Sequence, residues 1–244
     1  AHCLAQQEFA PRLSAQFDFG AGQIGRGRHQ RQARHRGRDR RGFEIAVAGF
    51  ALTTGAVAGA DAAYAGDYGI GVVVLLSYPS LEAIGYGYAI RPVLFPYIPG
   101  LFAFRELPLI MAVFEKIAEP PDLLIVDGHG YDHPMRFGYA CHAGAILGIP
   151  TIGVAKRPMY RQETDPGNET GMYEERIIDG EVTGVALRTK RGASPVYVSA
   201  GYKTSLRFSC KIILDTTRDH RICEPIRIAD QIARKLRGLY MEHA

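Results

Sequence analysis

The clearest pattern of hydrophobic and polar positions lies in residues 122–156. Leu123–Val126 is a short apolar run without alternation, which is typical of a strand buried on both faces. Thr151–Ala155 repeats this pattern. Between the two runs, apolar and small residues recur at helical spacing and form one face, made of Phe137, Cys141, Gly144 and Leu147. The sequence therefore predicts a strand, a helix and a second strand.

This order has a consequence for the polar residues that follow each strand. A unit of this kind must have parallel strands, so both strands end at the same edge of the sheet. Asp127 and Lys156 come directly after the two strands and are predicted to share that edge, where open α/β folds place their sites. Pro134 fits the first position of a helix, which makes His133 the predicted N-cap.

The remaining pattern predicts a mixed sheet flanked by helices. Two apolar runs joined by a short turn, Ile70–Tyr78 and Leu81–Ile90, must pair as antiparallel strands. Further strands are predicted at Ile45–Leu52, Ala56–Asp61, Glu181–Lys190 and Pro195–Ser199. Helices are predicted at Leu101–Glu106, restarting at Pro108, and at Ser205–Thr217 and Ile226–Gly238, with a polar loop at Thr164–Gly171. The fold class is α/β, with antiparallel strands first and the parallel unit after them.

The N-terminal end of the sequence carries a concentrated positive charge. Of the net charge of +4, residues 26–41 alone hold eight arginines and one aspartate. We treat residues 1–44 as an atypical Gly/Arg-rich segment and residues 45–244 as a single α/β domain. The segment has three interpretations: a disordered arm, a nucleic-acid-binding tail, or the product of a shifted reading frame. Four cysteines without a C-x-x-C pair, and no secretory signal or membrane-length apolar run, predict a cytoplasmic protein that does not bind membranes.

Three acidic residues could meet at the sheet edge. Asp61 follows a strand, Glu106 lies on a helix, and Asp127 ends the central strand. Clustered carboxylates repel one another and persist mainly when a divalent cation binds between them. Oxygen ligands select Mg²⁺ or Mn²⁺, which can assist the displacement at a phosphate. The alternative is that single acids at strand ends are caps or solvated charges.

The basic candidates also have two interpretations. His133 is either a catalytic group or a simple cap, and His142 is either catalytic or an interior histidine. Lys156 is either a phosphate contact or a surface charge. Sequence motifs of hydrolase elbows, dinucleotide sites and Walker-type phosphate loops are incomplete or absent.

Several of these stretches resemble the endonuclease V family, the deoxyinosine-specific repair nucleases. The order and spacing match over roughly residues 56–230. The longest matching segments are Phe95-Pro96-Tyr97-Ile98-Pro99-Gly100-Leu101-Phe102-Ala103-Phe104-Arg105-Glu106, Val126-Asp127-Gly128-His129-Gly130 through His133-Pro134, and Ile149-Pro150-Thr151-Ile152-Gly153-Val154-Ala155-Lys156. Shorter matches are Ala58-Gly59-Ala60-Asp61, Tyr78-Pro79-Ser80-Leu81-Glu82, Leu187-Arg188-Thr189-Lys190 and Pro195-Val196-Tyr197-Val198-Ser199.

The resemblance implies an RNase H-like fold and a Mg²⁺-dependent enzyme, with Mn²⁺ as a substitute. It implies cleavage of the second phosphodiester bond 3′ to deoxyinosine, leaving 3′-hydroxyl and 5′-phosphate ends. It assigns the metal ligands to Asp61, Glu106 and Asp127, and supporting catalytic roles to His133 and Lys156. It makes Tyr97 the wedge that holds the strands apart, and the other DNA-binding positions Ile98, Pro99, Arg105, Gly128, Gly130 and Tyr202.

One departure from the family pattern affects the expected activity. Ser199-Ala200-Gly201-Tyr202 stands where the family usually has Ser-Pro-Gly-His, and the resemblance implies that this histidine lies beside the metals. A tyrosine there cannot act as a cation near neutral pH. The expected partner is DNA containing deoxyinosine or other deaminated bases, bound by a monomer. The alternatives are a deaminated-base-binding protein that cleaves poorly and a ribonuclease specific for inosine in RNA.

Overall fold

The computed structural model describes residues 52, 54–162 and 165–243 of the chain. The strands are β1 Gly55–Ala65, β2 Tyr68–Tyr78, β3 Ala83–Pro92, β4 Leu123–Asp127, β5 Thr151–Ala155, β6 Tyr173–Ile178, β7 Glu181–Leu187 and β8 Val196–Ala200. The helices are α1 Phe102–Phe114, α2 Tyr139–Leu147, α3 Leu206–Asp215 and α4 Glu224–His243.

All eight described strands form one mixed sheet in the order β3-β2-β1-β4-β5-β8-β7-β6. β1, β2 and β3 pair as antiparallel neighbours, while β1 with β4 and β4 with β5 are parallel. β8 and β7 continue the sheet with antiparallel pairs. The predicted α/β class and the order of antiparallel and parallel strands are therefore confirmed.

The helices cover the sheet on both faces. One core contains apolar residues of β1, β2 and β4 together with the inner faces of α1 and α2. On the other side, α4 crosses β1, β2 and β4. The crossing is close at Gly59, where a Cβ atom would lie only 2.2 Å from the backbone carbonyl of Pro225. A side chain at position 59 would push α4 away from the centre of the sheet.

Three sequence-based expectations differ from the structure. Asp61 lies inside β1 rather than at its end, because pairing with β2 continues to Ala65 and Tyr68. Pro108 does not restart a helix but lies within the continuous helix α1. Strand β6 was not predicted. The proposed strand at 45–52 and the boundary at 44/45 fall outside the described residues, apart from residue 52.

The predicted N-cap at His133 is wrong. Helix α2 begins five residues later, with Gly138 as its N-cap, and residues 131–136 form turns. Gly138 donates to the carbonyl of Gly130 at 2.9 Å, and the backbone N–H of Ala140 donates to the carbonyl of His129 at 3.0 Å. The chain after β4 therefore folds back on itself before the helix starts, and His133 points inward, 5% exposed. No helix in the described part of the chain is long and apolar enough to cross a membrane.

Candidate active site

The edge of the sheet beyond β4 brings three acidic side chains together. Ala60 pairs with Val126 at the end of the parallel β1–β4 ladder, so Asp61 and Asp127 follow on neighbouring strands. Side chains alternate along a strand, and Ala60 faces the core under α1, so Asp61 faces the side covered by α4. Glu106 reaches the same edge from α1 and is 1% exposed.

Burial and mutual repulsion act on these three carboxyl groups. Burial, followed by the charge of Asp127, raises the pKa of Asp61 to about 7. Burial raises the pKa of Glu106 well above its usual value, and the charges of Asp61 and Asp127 raise it further. Burial also raises the pKa of Asp127, against the opposing effect of Lys156. Burial and repulsion therefore favour the protonated forms of these acids, because the surrounding protein only partly compensates the negative charge of the ionised forms.

Lys156 supplies the nearest compensation. Its Nζ donates to Oδ2 of Asp127 at 2.5 Å, which places both residues at the same sheet edge as the sequence predicted. Burial lowers the pKa of Lys156, but the charges of Asp127, Asp61 and Asp230 outweigh burial and raise it. The ammonium group therefore remains charged beside the acids, with about a third of its side chain exposed to solvent.

Two residues at this edge were not found by sequence reasoning. Asp230 on α4 acts on Asp61, Asp127 and Lys156 through its charge. Arg221, in the loop before α4, lowers the pKa of Asp127 and donates to the carbonyl of Pro195 at 3.1 Å. Both come from the end of the chain, and only the packing of α4 across the sheet brings them to residues 61 and 127. The helical position of Asp230, opposite the solvated side of α4, was the available signal.

The acidic cluster has the donor chemistry of a site for a hard divalent cation. Within the described residues, no three His, Cys, Asp or Glu side chains already stand in metal-ligand geometry. However, Oε1 of Glu106 is buried without a hydrogen-bond partner among those residues. The neighbouring Tyr139 hydroxyl lowers the pKa of Glu106 but makes no hydrogen bond of ordinary geometry in the described structure. An orphaned carboxylate oxygen beside two further acids fits a cation that takes oxygen ligands.

A cleft of about 330 Å³ opens next to the acids. It is lined mainly by aromatic, histidine and glycine residues of three segments: Tyr97, Pro99, Gly100, Phe102 and Ala103; Gly128, His129, His133, Phe137, Gly138, Tyr139 and His142; and Pro158 and Met159. The acids and the cleft are connected through the chain, because Gly128 follows Asp127 directly. Flat aromatic walls with a few polar groups suit a planar heterocycle.

Two histidines of the cleft, His133 and His129, are hydrogen-bonding groups whose burial disfavours the cationic form. Burial lowers the pKa of His133, and its Nδ1 accepts from the backbone N–H of Met135 at 3.1 Å. Burial likewise lowers the pKa of His129, whose Nε2 lies 3.2 Å from the carbonyl of Arg157. His142 packs edge-on against Phe137, with ring centroids 4.5 Å apart, so it belongs to the wall of the cleft.

Residues 95–100, which include Pro96 and Pro99, form an exposed lip of the cleft. Tyr97 is 66% exposed and Ile98 39%, and the ring of Tyr97 contacts Phe102 edge-on. Arg105 does not point to solvent from this lip. Its Nη1 donates to the carbonyl of Phe95 at 2.8 Å, and its guanidinium lies over the ring of Tyr64. Arg105 therefore fastens the lip to α1, one residue before Glu106.

The two glycines after Asp127 allow close backbone packing. A Cβ atom at Gly130 would lie 2.1 Å from the carbonyl oxygen of Ala200, and one at Gly128 would lie 3.0 Å from the ring of Tyr139. Gly130 also donates its N–H to Oγ of Ser199 at 2.8 Å. A side chain at position 130 would thus push the loop off β8 and change the floor of the cleft.

The expectation that residue 202 lies beside the acids is wrong. The N–H of Tyr202 donates to Oγ1 of Thr151 at 2.8 Å, and its carbonyl accepts from the N–H of Thr151. Thr151 starts β5, whereas Lys156 follows its end. Because β8 runs antiparallel to β5, the residues that follow β8 lie beside the start of β5. Tyr202 therefore lies at the opposite edge of the sheet, and the acid from the C-terminal part of the chain is Asp230.

The sheet order, the helices on both faces and the acid-lined edge define an α/β protein of the RNase H-like class. The family model described as Endonuclease V matches residues 46–231, which is more than half of the chain. The chain therefore belongs to the endonuclease V family, whose members are nucleases.

Individual relatives agree with this assignment. Endonuclease V of Nocardia farcinica is 44% identical over 180 residues, covering 73% of this chain and 79% of the relative. The crystal structure of endonuclease V from Streptomyces avermitilis has a TM-score of 0.73 at 39% identity, covering 78% of this chain and 84% of that chain. Ciona intestinalis endonuclease V, in complex with a 24mer DNA containing an inosine followed by a ribo-adenosine, has a TM-score of 0.63 at 28% identity, covering 75% and 86%.

Proposed function

We propose that this chain is an endonuclease that hydrolyses the second phosphodiester bond 3′ to deoxyinosine in DNA, leaving 3′-hydroxyl and 5′-phosphate ends. The observation that carries the proposal is the cluster of Asp61, Glu106 and Asp127 beside an aromatic cleft. The Ciona relative bound to inosine-containing DNA supports this class of substrate.

The three acids would hold Mg²⁺, with Mn²⁺ as a substitute. When bound, such an ion neutralises charge on the phosphate and activates a water molecule. The other contributions come from side chains of the protein. The ammonium of Lys156, held by Asp127, would contact the phosphate, and its partial exposure supports this role. Asp230 faces the same edge and would help to hold Lys156 in its charged form.

The cleft would take the altered base after it leaves the helical stack. A base turned out of a duplex is read through stacking and through hydrogen bonds to its edge. The backbone of Gly128, the neutral ring of His133 and the wall formed by Tyr139 offer these contacts. Tyr97 and Ile98 on the exposed lip, with Pro99 between lip and cleft, would fill the gap in the stack. Other deaminated bases with a similar edge would enter the same cleft.

The direct test is cleavage of a labelled duplex containing one deoxyinosine, with and without Mg²⁺. We expect one cut at the second bond 3′ to the lesion, only with the metal and only with the inosine. Asp127→Ala should lower kcat by about a hundredfold to a thousandfold, because removing one electrostatic group at a reacting centre costs about that much. Asp67→Ala, an exposed acid in the β1–β2 turn, is the matched control. Full cleavage by Asp127→Ala would contradict the proposal.

A second candidate substrate is inosine in RNA. The DNA bound to the Ciona relative carries a ribo-adenosine after the inosine, which favours tolerance of a 2′-hydroxyl by that protein. Cleavage of matched DNA and RNA strands by this chain decides between the two. The third alternative, a binding protein with weak cleavage, was based on Tyr202 and on the arginine-rich segment. Tyr202 lies at the opposite sheet edge from the acids, and the segment lies outside the described residues.

A further inference from the structure

The loop that forms the floor of the cleft is held from outside by the β6–β7 hairpin. Its central contact is a buried ion pair between Arg176 on β6 and Asp132 in the loop, whose side chains are 0% and 1% exposed. Nε of Arg176 donates to Oδ2 of Asp132 at 2.7 Å. Asp132 directly precedes His133, so the pair acts one residue away from a side chain that lines the cleft.

Both charged groups are fixed by further contacts. Oδ1 of Asp132 accepts from the hydroxyl of Tyr160 at 2.5 Å and from Oγ1 of Thr183 at 2.8 Å. The guanidinium of Arg176 lies between the rings of Tyr160 and Tyr197, at 4.3 and 5.1 Å from their centroids. Nη2 donates to the carbonyl of Tyr160 at 3.2 Å, while Nη1 has no partner in residues 54–162 and 165–243.

A buried pair of this kind is a poor source of stability. Removing two charges from water costs free energy that their attraction often does not recover, and well-packed apolar residues serve as well or better. An unpartnered Nη1 adds to that cost. The contribution of the pair is geometric, because it orients the carboxylate of Asp132. Three hydrogen bonds, from β6, β7 and the loop after β5, fix one carboxylate, and with it the orientation of the backbone that carries His133.

We propose that Arg176 and Asp132 are positioning residues for the cleft: their pair sets the shape of loop 128–133, and thereby the placement of Gly128, His129 and His133 against the base. This role rests on the proposed function of the cleft, but the shape of the loop can be measured without any substrate.

A second set of contacts between the same hairpin and loop provides the control. Tyr131 donates to Oε1 of Glu181 at 2.8 Å, and Nε of Arg136 donates to Oε2 of Glu181 at 3.0 Å. The side chain of Glu181 is 46% exposed, so these contacts are screened by water. Glu181→Gln should therefore change neither the loop nor the cleavage kinetics by more than about twofold.

The experiment compares Arg176→Leu, the double variant Asp132→Ala with Arg176→Leu, and Tyr160→Phe. Arg176→Leu leaves a buried carboxylate without its cation and should lower the thermal midpoint. The double variant removes both charges and should recover most of the midpoint. Tyr160→Phe removes only one hydroxyl donor to Asp132 and should stay folded.

Two readouts separate positioning from stability. Hydrogen–deuterium exchange of the peptide covering residues 128–138 should become at least about tenfold faster in the double variant and a few-fold faster in Tyr160→Phe, because fixed hydrogen bonds protect local structure. KM for inosine DNA should rise about tenfold in the double variant with a smaller change in kcat.

Exchange and KM at wild-type values in a stable double variant, or in Tyr160→Phe, would overturn the proposal and leave the pair a structural role only. A wild-type protein that does not cut inosine DNA would instead contradict the proposed function, and the exchange measurement would still decide whether Arg176 shapes the loop.

Discussion

Asp61 illustrates how burial and neighbouring charges act on a single residue of the site. Its carboxyl group is 8% exposed, lies on β1, and faces two further acids rather than a dedicated cation. Its pKa of about 7, raised by burial and by Asp127, means that a large fraction of the group holds a proton near neutral pH when no metal is bound. A residue in this state is poised to exchange a proton for a divalent cation.

This pKa predicts a pH dependence of stability in the presence of EDTA. Between the ordinary value of 3.8 and about 7, the folded chain binds more protons at Asp61 than the unfolded chain. The free energy of unfolding should therefore fall as the pH rises through this window, by up to a few kcal/mol at about 1.4 kcal/mol per pKa unit. Urea unfolding at pH 5 and pH 8 measures the difference.

The variant Asp61→Asn should flatten that slope, since an amide does not titrate, whereas Asp67→Asn in the exposed turn should leave it unchanged. Saturating Mg²⁺ should raise stability more at pH 8 than at pH 5, because metal and protons compete for the same oxygens. A stability that increases from pH 5 to pH 8 in EDTA would show that repulsion within the cluster is not the dominant charge effect.

At the scale of elements, Arg105 is a polar anchor of the exposed lip between β3 and α1. The lip presents Tyr97 to solvent, and its prolines stiffen the backbone without supplying hydrogen-bond donors. Arg105 makes a charge-assisted hydrogen bond to the carbonyl of Phe95 and stacks on Tyr64. These contacts couple the lip to the helix that carries Glu106.

Arg105→Ala should therefore lower kcat/KM for inosine DNA by about tenfold, since a hydrogen bond to a charged group contributes about 1.5–3 kcal/mol. The loss should appear in KM more than in kcat, because the role proposed for the lip is to position the duplex. Steady-state cleavage kinetics give both constants. Tyr97→Ala should show the same pattern if the lip acts through its wedge, and Tyr97→Phe should retain most activity. An unchanged KM in Arg105→Ala would argue against the anchor.

The elements also show why some of the structure could be predicted and some could not. Apolar runs without alternation identified β2, β4 and β5, because buried strands need apolar residues on both faces. Strand β6 was missed, since Tyr173–Ile178 contains Glu174, Glu175 and Arg176 and lies at an edge of the sheet. The buried position in β6 is occupied by an arginine, and only the loop carboxylate across from it explains that choice.

At the scale of the whole molecule, three acids of the site could be predicted from the sequence and a fourth, Asp230, could not. Asp61, Glu106 and Asp127 follow from strand ends, helix position and family resemblance, and the structure places them within range of one another's charges. Asp230 could not be found this way, because its approach depends on α4 crossing the sheet at Gly59. The predicted position of Tyr202 is wrong because the direction of β8 decides which sheet edge its last residues reach. A sequence motif does not give that direction.

The charge of the molecule is also divided unevenly, and this leads to a prediction about DNA affinity. The eight arginines of residues 26–41 lie in a segment outside the described residues, and they are the largest concentration of positive charge in the sequence. If they contact phosphates, each contact should add about 0.9 to the slope of log affinity against log salt concentration. Deleting residues 1–44 should then flatten the slope by several contacts and weaken inosine and undamaged duplexes equally, since phosphate contacts carry no base information.

Fluorescence anisotropy with catalytically inactive Asp127→Ala, at salt concentrations between about 50 and 200 mM, measures the slope over a range where phosphate contacts change affinity strongly. A full-length chain with the arginines of residues 26–41 replaced by glutamine is the matched control, because it keeps the length and removes only the charge. Equal slopes in all three proteins would show that the segment makes no phosphate contacts. A loss of preference for inosine would instead place part of the base recognition outside the cleft.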